Sequence, residues 1–342
     1  MKVFGRNPSG IRQNKISQSP NYKNGQFRNM ETTTVMADVS FLKIFYEFLN
    51  KPANVRPAGE IPTVKTDLNL LDDSTPVIVW FGHSSYYFSY KGFRMLADPV
   101  LSGTAAPFSS FGKAFNGSDV YGPEDFPEID VLLITHDHYD HLDFKTVLKL
   151  VPRVKKIVTP IGVGSHLEYW GIASEKIIEL DWWEESITGP QIKFTAAPSR
   201  HFSGRMFARA KTLWASFVLE IYDQRLYLGG DSGYGSHFIE IAKRFPRFDL
   251  AILDCGQYGK GWPLIHMIPE ETVQAGLDLN ADVVLPVHWS KFVLSTHAWN
   301  EPIERFMIAA AQASFRTLTP MIGEPVPFLT DFNSRMWWEH QK

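Results

Sequence analysis

The chain has 342 residues, and its 34 Lys and Arg against 37 Asp and Glu leave a net charge of -3, no footprint for a nucleic-acid binder. With 44% hydrophobic and 14% aromatic residues it can build a large core, and the length fits one large α/β domain or two smaller ones. The single cysteine, Cys255, excludes an intrachain disulfide and a cysteine-built zinc site, so any metal must be held by His, Asp and Glu.

Residues 1 to about 35 are rich in Asn, Gln, Ser, Lys and Arg and lack the apolar run of a signal peptide. They read as a flexible tail ahead of a single domain over 36–342. The expected compartment is the cytoplasm, and peripheral contact with a membrane is compatible with the sequence. Phe41, Leu42, Phe45, Phe48 and Leu49 recur at helical spacing, which predicts an amphipathic helix within 39–49, either covering the core or touching a membrane.

Strand patterns then come in quick succession. Val77 to Phe81 is the first, then Tyr86 to Tyr90 and Phe93 to Ala97, joined by a Lys91-Gly92 turn as a hairpin. Val131 to Thr135 is a short apolar strand, with a helix expected from Asp143 to Leu150. Further strands are expected at Lys156 to Thr159, Ile192 to Ala197, Leu213 to Ile221, Arg225 to Leu228, Leu250 to Leu253 and Val283 to Val287. Helices are expected near Gly164 to Trp170, His237 to Phe245, Pro269 to Asn280 and Glu301 to Ala313. Pro269 with Glu270 and Glu271 makes a good helix start: proline in the first turn, acids at the positive dipole end. Hairpins first and strand–helix alternation later predict a mixed α/β fold with sheets covered by helices.

The segment Thr135-His136-Asp137-His138-Tyr139-Asp140-His141 directly follows the apolar strand. A turn leaving a strand can aim His136 and His138 at one ion and swing Asp140 and His141 toward a second. Imidazole and carboxylate suit zinc, and also manganese or iron. His201, Asp231 and His288 each follow a strand, so four strands deliver candidate ligands at their carboxyl ends, where α/β sheets put their sites.

His136-x-His138-x-Asp140-His141, with His201, Asp231 and His288, resembles the signature of the metallo-β-lactamase superfamily. More narrowly, the chain resembles the N-acyl-phosphatidylethanolamine-hydrolysing phospholipase D branch. That closer likeness lies in Trp80 to Ser85, Leu96-Ala97-Asp98-Pro99, Ile134 to Asp143, Glu179 to Glu185, Gly230 to Tyr234 and His288-Trp289. It runs from about Val77 to about Pro302. The resemblance implies an αββα sandwich with two metal ions at the sheet edges. His136, His138 and His201 would bind the first, Asp140, His141 and His288 the second, and Asp231 would bridge them. Two such ions can lower the pKa of a shared water toward roughly 7, which suits hydrolysis of a phosphodiester in a lipid.

Other residues carry weaker expectations. Asp98 suits a hydrogen bond from a metal-bound histidine. Asp137 reads as a second-layer residue, a proton-transfer group or a solvated acid. His266 matches a histidine near the substrate site of the phospholipase branch and would bond a phosphate oxygen or cap the Pro269 helix. His83 reads as buried and structural, and His297 as a cleft-lining loop residue. His166, His237 and His340 take ordinary helical or terminal positions. Arg200, Arg205, Arg209 and Lys211, mixed with Phe202, Met206 and Phe207, suit a lipid headgroup with its chains, an anionic metabolite or solvent. The expected apolar lining is Phe202, Met206, Phe207, Trp262 and Leu264, while Trp182-Trp183 fits core or groove.

The sequence thus predicts a dinuclear metallohydrolase, with two zinc ions or manganese or iron in their place. The activity the resemblance implies is phospholipase D-like, with catalytic candidates Asp231, His266 and Asp137. The alternatives are a lactonase or phosphodiesterase acting on a soluble anionic metabolite, and a metal-stabilised binding protein without catalysis. A lipid or small anionic phosphodiester is the expected partner, nucleic acid is not, and a homodimer is compatible with the sequence.

Overall fold

The computed structural model of the chain describes residues 1–37, 46, 49–108, 111–205, 208–332 and 334–341. The helix expected within 39–49 falls outside the described residues apart from Tyr46 and Leu49, and so do Met206 and Phe207.

Two seven-stranded sheets carry the fold. The first consists of β1 (Val77–Trp80), β2 (Tyr86–Tyr90), β3 (Phe93–Ala97), β4 (Ile129–Leu133), β5 (Val154–Pro160), β6 (Ile177–Leu180) and, at its edge beside β1, β14 (Pro325–Pro327). The second consists of β7 (Glu185–Gly189), β8 (Ile192–Ala197), β9 (Ser216–Ile221), β10 (Gln224–Leu228), β11 (Leu250–Asp254), β12 (Val283–Val287) and β13 (Arg316–Thr317). Each sheet opens with antiparallel pairings and continues with parallel ones from β3 and β10 onward. The β2–β3 turn is the expected Lys91-Gly92 pair, both at positive φ (48° and 80°), the geometry a two-residue hairpin of the right twist requires.

Strand alternation divides the first sheet between two cores. Val77, Val79, Tyr87, Leu96 and Leu132 pack outward with Val147 and Leu150 of α2 (Phe144–Leu150) and Leu167 of α3 (Gly164–Tyr169). Ile78, Trp80, Phe88, Met95, Val131 and Leu133 pack inward, in one cluster with Phe194, Phe217, Leu226 and Ile252 of the second sheet. That cluster also takes Phe238 and Ile241 of α4 (His237–Arg244), Val273 of α5 (Pro269–Asp278), and Ile303 and Phe306 of α6 (Glu301–Ala310). The layers are therefore helix, sheet, sheet, helix, as the resemblance implied.

The amino-terminal segment departs from the expected flexible tail. α1 (Gly10–Ser17) buries Ile16, and Phe27 is buried in the same core cluster. Arg12 pairs with Glu168 and Glu179, Trp170 Nε1 donates to Lys2 O at 2.7 Å, and Phe27 N donates to Ala210 O at 2.9 Å. Two well-placed apolar side chains and a few polar anchors hold a segment whose average composition is polar. No helix among the described residues is long and apolar enough to cross a membrane.

Candidate metal centre

The parallel strands β3 and β4 end at one edge of the first sheet. In the second, β8 and β10 are both antiparallel to β9 and so run the same way as each other and as β11 and β12. Their carboxyl ends deliver Asp98, the His136–His141 turn, His201, Asp231, Asp254 and His288. Gly230 lets the Asp231 loop pass close to this turn, because a Cβ there would meet the Thr135 side chain at 2.7 Å. His83, Asp98 and His288 hold left-handed backbones (φ 52°, 40° and 70°), a strain of order 1–3 kcal/mol each that surrounding bonds must over-determine. His288 N donates to His83 O at 3.0 Å and His83 N to Trp289 O at 2.8 Å, locking two of the three together.

Donor atoms converge in two sets. His136, His138, His201 and Asp231 form one, with all four ligand atoms within 4.8 Å of one another. Within it, His138 Nδ1 lies 2.9 Å from His136 Nε2 and 3.3 Å from His201 Nε2, and Asp231 Oδ2 lies 3.7 Å from each of those Nε2 atoms. Asp140, His141 and His288, with His83, form the second under the same limit. Asp231 Oδ1 reaches into it, 3.1 Å from both His141 Nε2 and His288 Nδ1. Both His141 Nε2 and Asp231 Oδ1 are buried and lack a well-formed hydrogen bond.

Surrounding groups fix the rings. Asp98 accepts from His141 Nδ1 (2.7 Å), Thr135 N (2.8 Å) and Thr135 Oγ1 (2.5 Å), so the hydrogen bond anticipated for Asp98 is present. His201 Nδ1 donates to Ile265 O at 2.8 Å, leaving Nε2 for the cluster. His83 is buried as expected and also touches the site, with Nε2 3.0 Å from Asp140 Oδ2 and its ring centroid 4.0 Å from that of His288.

The electrostatics fit a pair of cations. Burial depresses the imidazolium forms of His136, His138, His201 and His288, which keeps these rings neutral with lone pairs to offer. At His141 burial acts the same way, but Asp231, Asp98 and Asp140 outweigh it and raise the pKa. Burial would raise Asp231 and Asp140 too, yet the adjoining imidazoles hold both low. His201 spends its one N–H on Ile265 O, and His138 Nδ1 faces both His136 Nε2 and His201 Nε2, so one N–H at that nitrogen can serve only one of the two neighbours. A metal ion would satisfy all three nitrogens.

Several expectations need correction. Asp137 does not face the site: its carboxylate accepts from Gly204 N (2.6 Å) and Thr212 Oγ1 (2.8 Å) and pairs with His166 Nε2 (3.0 Å). Burial would raise its pKa, but His166 and Arg205 hold it low, as a structural anion. His166 is accordingly buried in this network and is no ordinary helical residue. Arg205 is buried too, donating to the carbonyls of Asp137, Leu142 and Val3, while Arg200 is spent on Thr33, Thr32 and Tyr234; of the basic loop, Arg209 faces the cleft. Leu264 does not line the cleft, and Trp182 is core, donating to Trp214 O at 2.8 Å.

The cleft over the donor sets has a volume of about 290 Å³, and Val35, Met36, Phe202, Trp262 and Leu294 supply much of its apolar wall. His266 sits where it meets a neighbouring cavity of about 480 Å³ lined by Tyr258, Lys260, His297 and Arg305, so His297 lines that cavity and not the cleft. The ring of His266 stacks 5.0 Å from that of His288, and its Nδ1 pairs with Asp254 Oδ2 at 2.9 Å. Burial raises Asp254 to about 6, and at His266 the charge of Asp254 outweighs burial and raises the imidazole. Sequence reading missed Asp254, although it ends β11 in the position where the neighbouring strands deliver their candidate ligands.

Residues 94–289 match the β-lactamase superfamily domain. The chain belongs to the metallo-β-lactamase superfamily. An uncharacterized protein of Mycobacterium tuberculosis is 37% identical over 94% of this chain and 88% of its own. A mitochondrial N-acyl-phosphatidylethanolamine-hydrolyzing phospholipase D of Saccharomyces cerevisiae is 33% identical over 72% of this chain, which spans 54% of the yeast protein. The solved metallo hydrolase Igni18 of Ignicoccus hospitalis shares the fold with a TM-score of 0.57 and 20% identity, over 74% of this chain and 97% of its own. Fold and donor sets together make this metallo-β-lactamase-fold protein a metal-dependent hydrolase with a dinuclear metal site.

Proposed function

We propose that the protein hydrolyses a phosphodiester at two zinc ions, and that its substrate is an N-acyl phosphatidylethanolamine or a related lipid. The observation that carries the reading is the division of Asp231, with Oδ2 turned to His136 and His201 and Oδ1 to His141 and His288. On this reading His136, His138 and His201 hold one ion, Asp140, His141 and His288 the other, and Asp231 bridges. When bound, the two ions would supply Lewis-acid activation of a water and charge to neutralise phosphoryl oxygens. Zinc suits imidazole and carboxylate donors without thiolate, as do manganese and iron. His266, oriented by Asp254, donates a hydrogen bond to a phosphate oxygen. Arg209, 5.6 Å from the Phe202 ring centroid, places a cation against the apolar wall of the cleft, which suits a headgroup with attached chains and contact with a membrane surface from the cytoplasm. The likeness to the yeast phospholipase supports the same substrate class.

A second reading, hydrolysis of a soluble anionic metabolite, is favoured by the cleft volume of about 290 Å³, which fits a small ligand. Full-length zinc-loaded protein assayed on N-acyl phosphatidylethanolamine in mixed micelles, a soluble phosphodiester and a lactone separates the two. We expect turnover of both phosphodiesters, abolished by chelation and slowed by His266→Ala. Val35→Ser with Leu294→Ser should remove apolar contact worth up to about 1.5–3 kcal/mol per side chain, lowering kcat/KM on the lipid alone. Turnover of the soluble substrates without the lipid would refute the lipid assignment.

A further inference from the structure

His201 differs from the other donors in how its backbone is held. It stands in a loop beyond β8, and its ring is fixed through Nδ1 to Ile265 O. Among the described residues its backbone is held by one side chain: Asn29 Nδ2 donates to His201 O at 2.8 Å, and His201 N donates to Asn29 Oδ1 at 3.1 Å. The primary amide of Asn29 thus pairs with the His201 peptide as a neighbouring strand would. Trp214 Nε1 donates to the same Oδ1 at 3.0 Å, fixing which end of the amide faces which way.

The segment bearing Asn29 is anchored on both sides. Before it, Phe27 is buried and bonded to Ala210 O. After it, Glu31 accepts from Ser236 N at 2.7 Å and from Ser236 Oγ at 2.5 Å, and Thr33 Oγ1 accepts from Arg200 Nε at 3.0 Å. The chain then lays Val35 and Met36 against the cleft, and Ala37 N donates to Gly261 O at 2.8 Å.

We infer that Asn29 is a positioning residue of the metal centre: the amino-terminal strap reaches the ion held by His136, His138 and His201 through this one amide. The inference rests on His201 being a ligand. It does not depend on the substrate. Partners that orient a ligand change metal affinity by about 10- to 100-fold when removed, and a backbone clamp on a loop-borne ligand acts in the same way.

The test is a titration of metal-free, full-length protein with zinc in competition with a chromogenic chelator, giving two stepwise affinities. Asn29→Ala should weaken one step by about 10- to 100-fold and leave the other within threefold. Asn29→Asp keeps the acceptor for His201 N and Trp214 but sets a carboxylate oxygen against His201 O, so it too should weaken the same step. Arg12→Ala, which releases the strap from Glu168 and Glu179 away from the site, should leave both steps unchanged. Two wild-type affinities in Asn29→Ala, or an equal loss in Arg12→Ala, would overturn the inference while leaving the metal reading intact. A wild-type chain that binds no zinc would instead overturn the metal reading, and the inference with it.

Discussion

Asp98 offers a sharp test of the architecture because it touches no proposed ion position yet holds two residues of the ligand turn. Its carboxylate accepts three hydrogen bonds, two from Thr135 just before His136 and one from His141 Nδ1. Asn is the informative replacement: it has the same shape, and it tolerates the left-handed backbone (φ 40°) that would strain Ala. The amide oxygen of Asp98→Asn can still accept from Thr135 N, but its NH2 then confronts His141 Nδ1–H. Losing one charge-assisted bond costs about 1.5–3 kcal/mol, which at about 1.4 kcal/mol per decade is roughly 10- to 150-fold in affinity. Removing a group that orients a metal ligand gives about the same, 10- to 100-fold, so the two routes agree. Zinc competition should show this loss in one binding step. Combined with Asn29→Ala, which acts on the other donor set, both steps should weaken. Two unchanged steps in Asp98→Asn would refute the argument that Asp98 sets the His141 ring.

Two further outcomes come from burial. Ile16→Ala should destabilise metal-free protein in guanidinium unfolding by about 2–5 kcal/mol, the usual cost at a fully buried site; a change within about 0.5 kcal/mol is what a flexible tail would give. Burial holds His237 down to about 3, against about 6.5 for free imidazole, so between those values the unfolded chain binds a proton that the folded chain excludes. Stability from this group is therefore fully present above about pH 6.5 and falls as the pH drops towards 3, by up to about 1.4 kcal/mol per pH unit. His237→Gln lacks that dependence, so the unfolding free energies of variant and wild type should converge from pH 7 to pH 4; parallel curves would refute it.

What the sequence made legible is what is local. His136 to His141 could be read because consecutive residues leaving one apolar strand carry their own spacing. The hairpin over β2 and β3 could be read because Lys91-Gly92 is both turn and register. Segments whose role depends on partners elsewhere were harder. Arg205 and Asp137 sit among charged and aromatic neighbours in sequence, and only tertiary packing shows both buried in one network with His166. β7 has a mostly exposed face and β14 carries two prolines, so neither shows an apolar period, yet an edge strand tolerates both. In α1 and the strap, a polar average hid Ile16 and Phe27. Asp254 was within reach, because the strand-end rule that picked out Asp231 and His288 applies equally to β11.

These features share one cause. Burying Asp140, Asp231 and five imidazoles at a sheet edge is costly without compensation, since each desolvated polar group must find a partner. Asp98, Ile265 O and the Asn29 amide supply partners around the donor sets, and metal ions supply the rest. Binding of metal and completion of the fold are therefore linked at this edge. The residues that keep His83, Asp98 and His288 in left-handed conformations belong to the same bonded set, so strain, ligand orientation and metal affinity should change together when any member is removed. The amino-terminal strap enters that set through Asn29, although its composition shows nothing of the role.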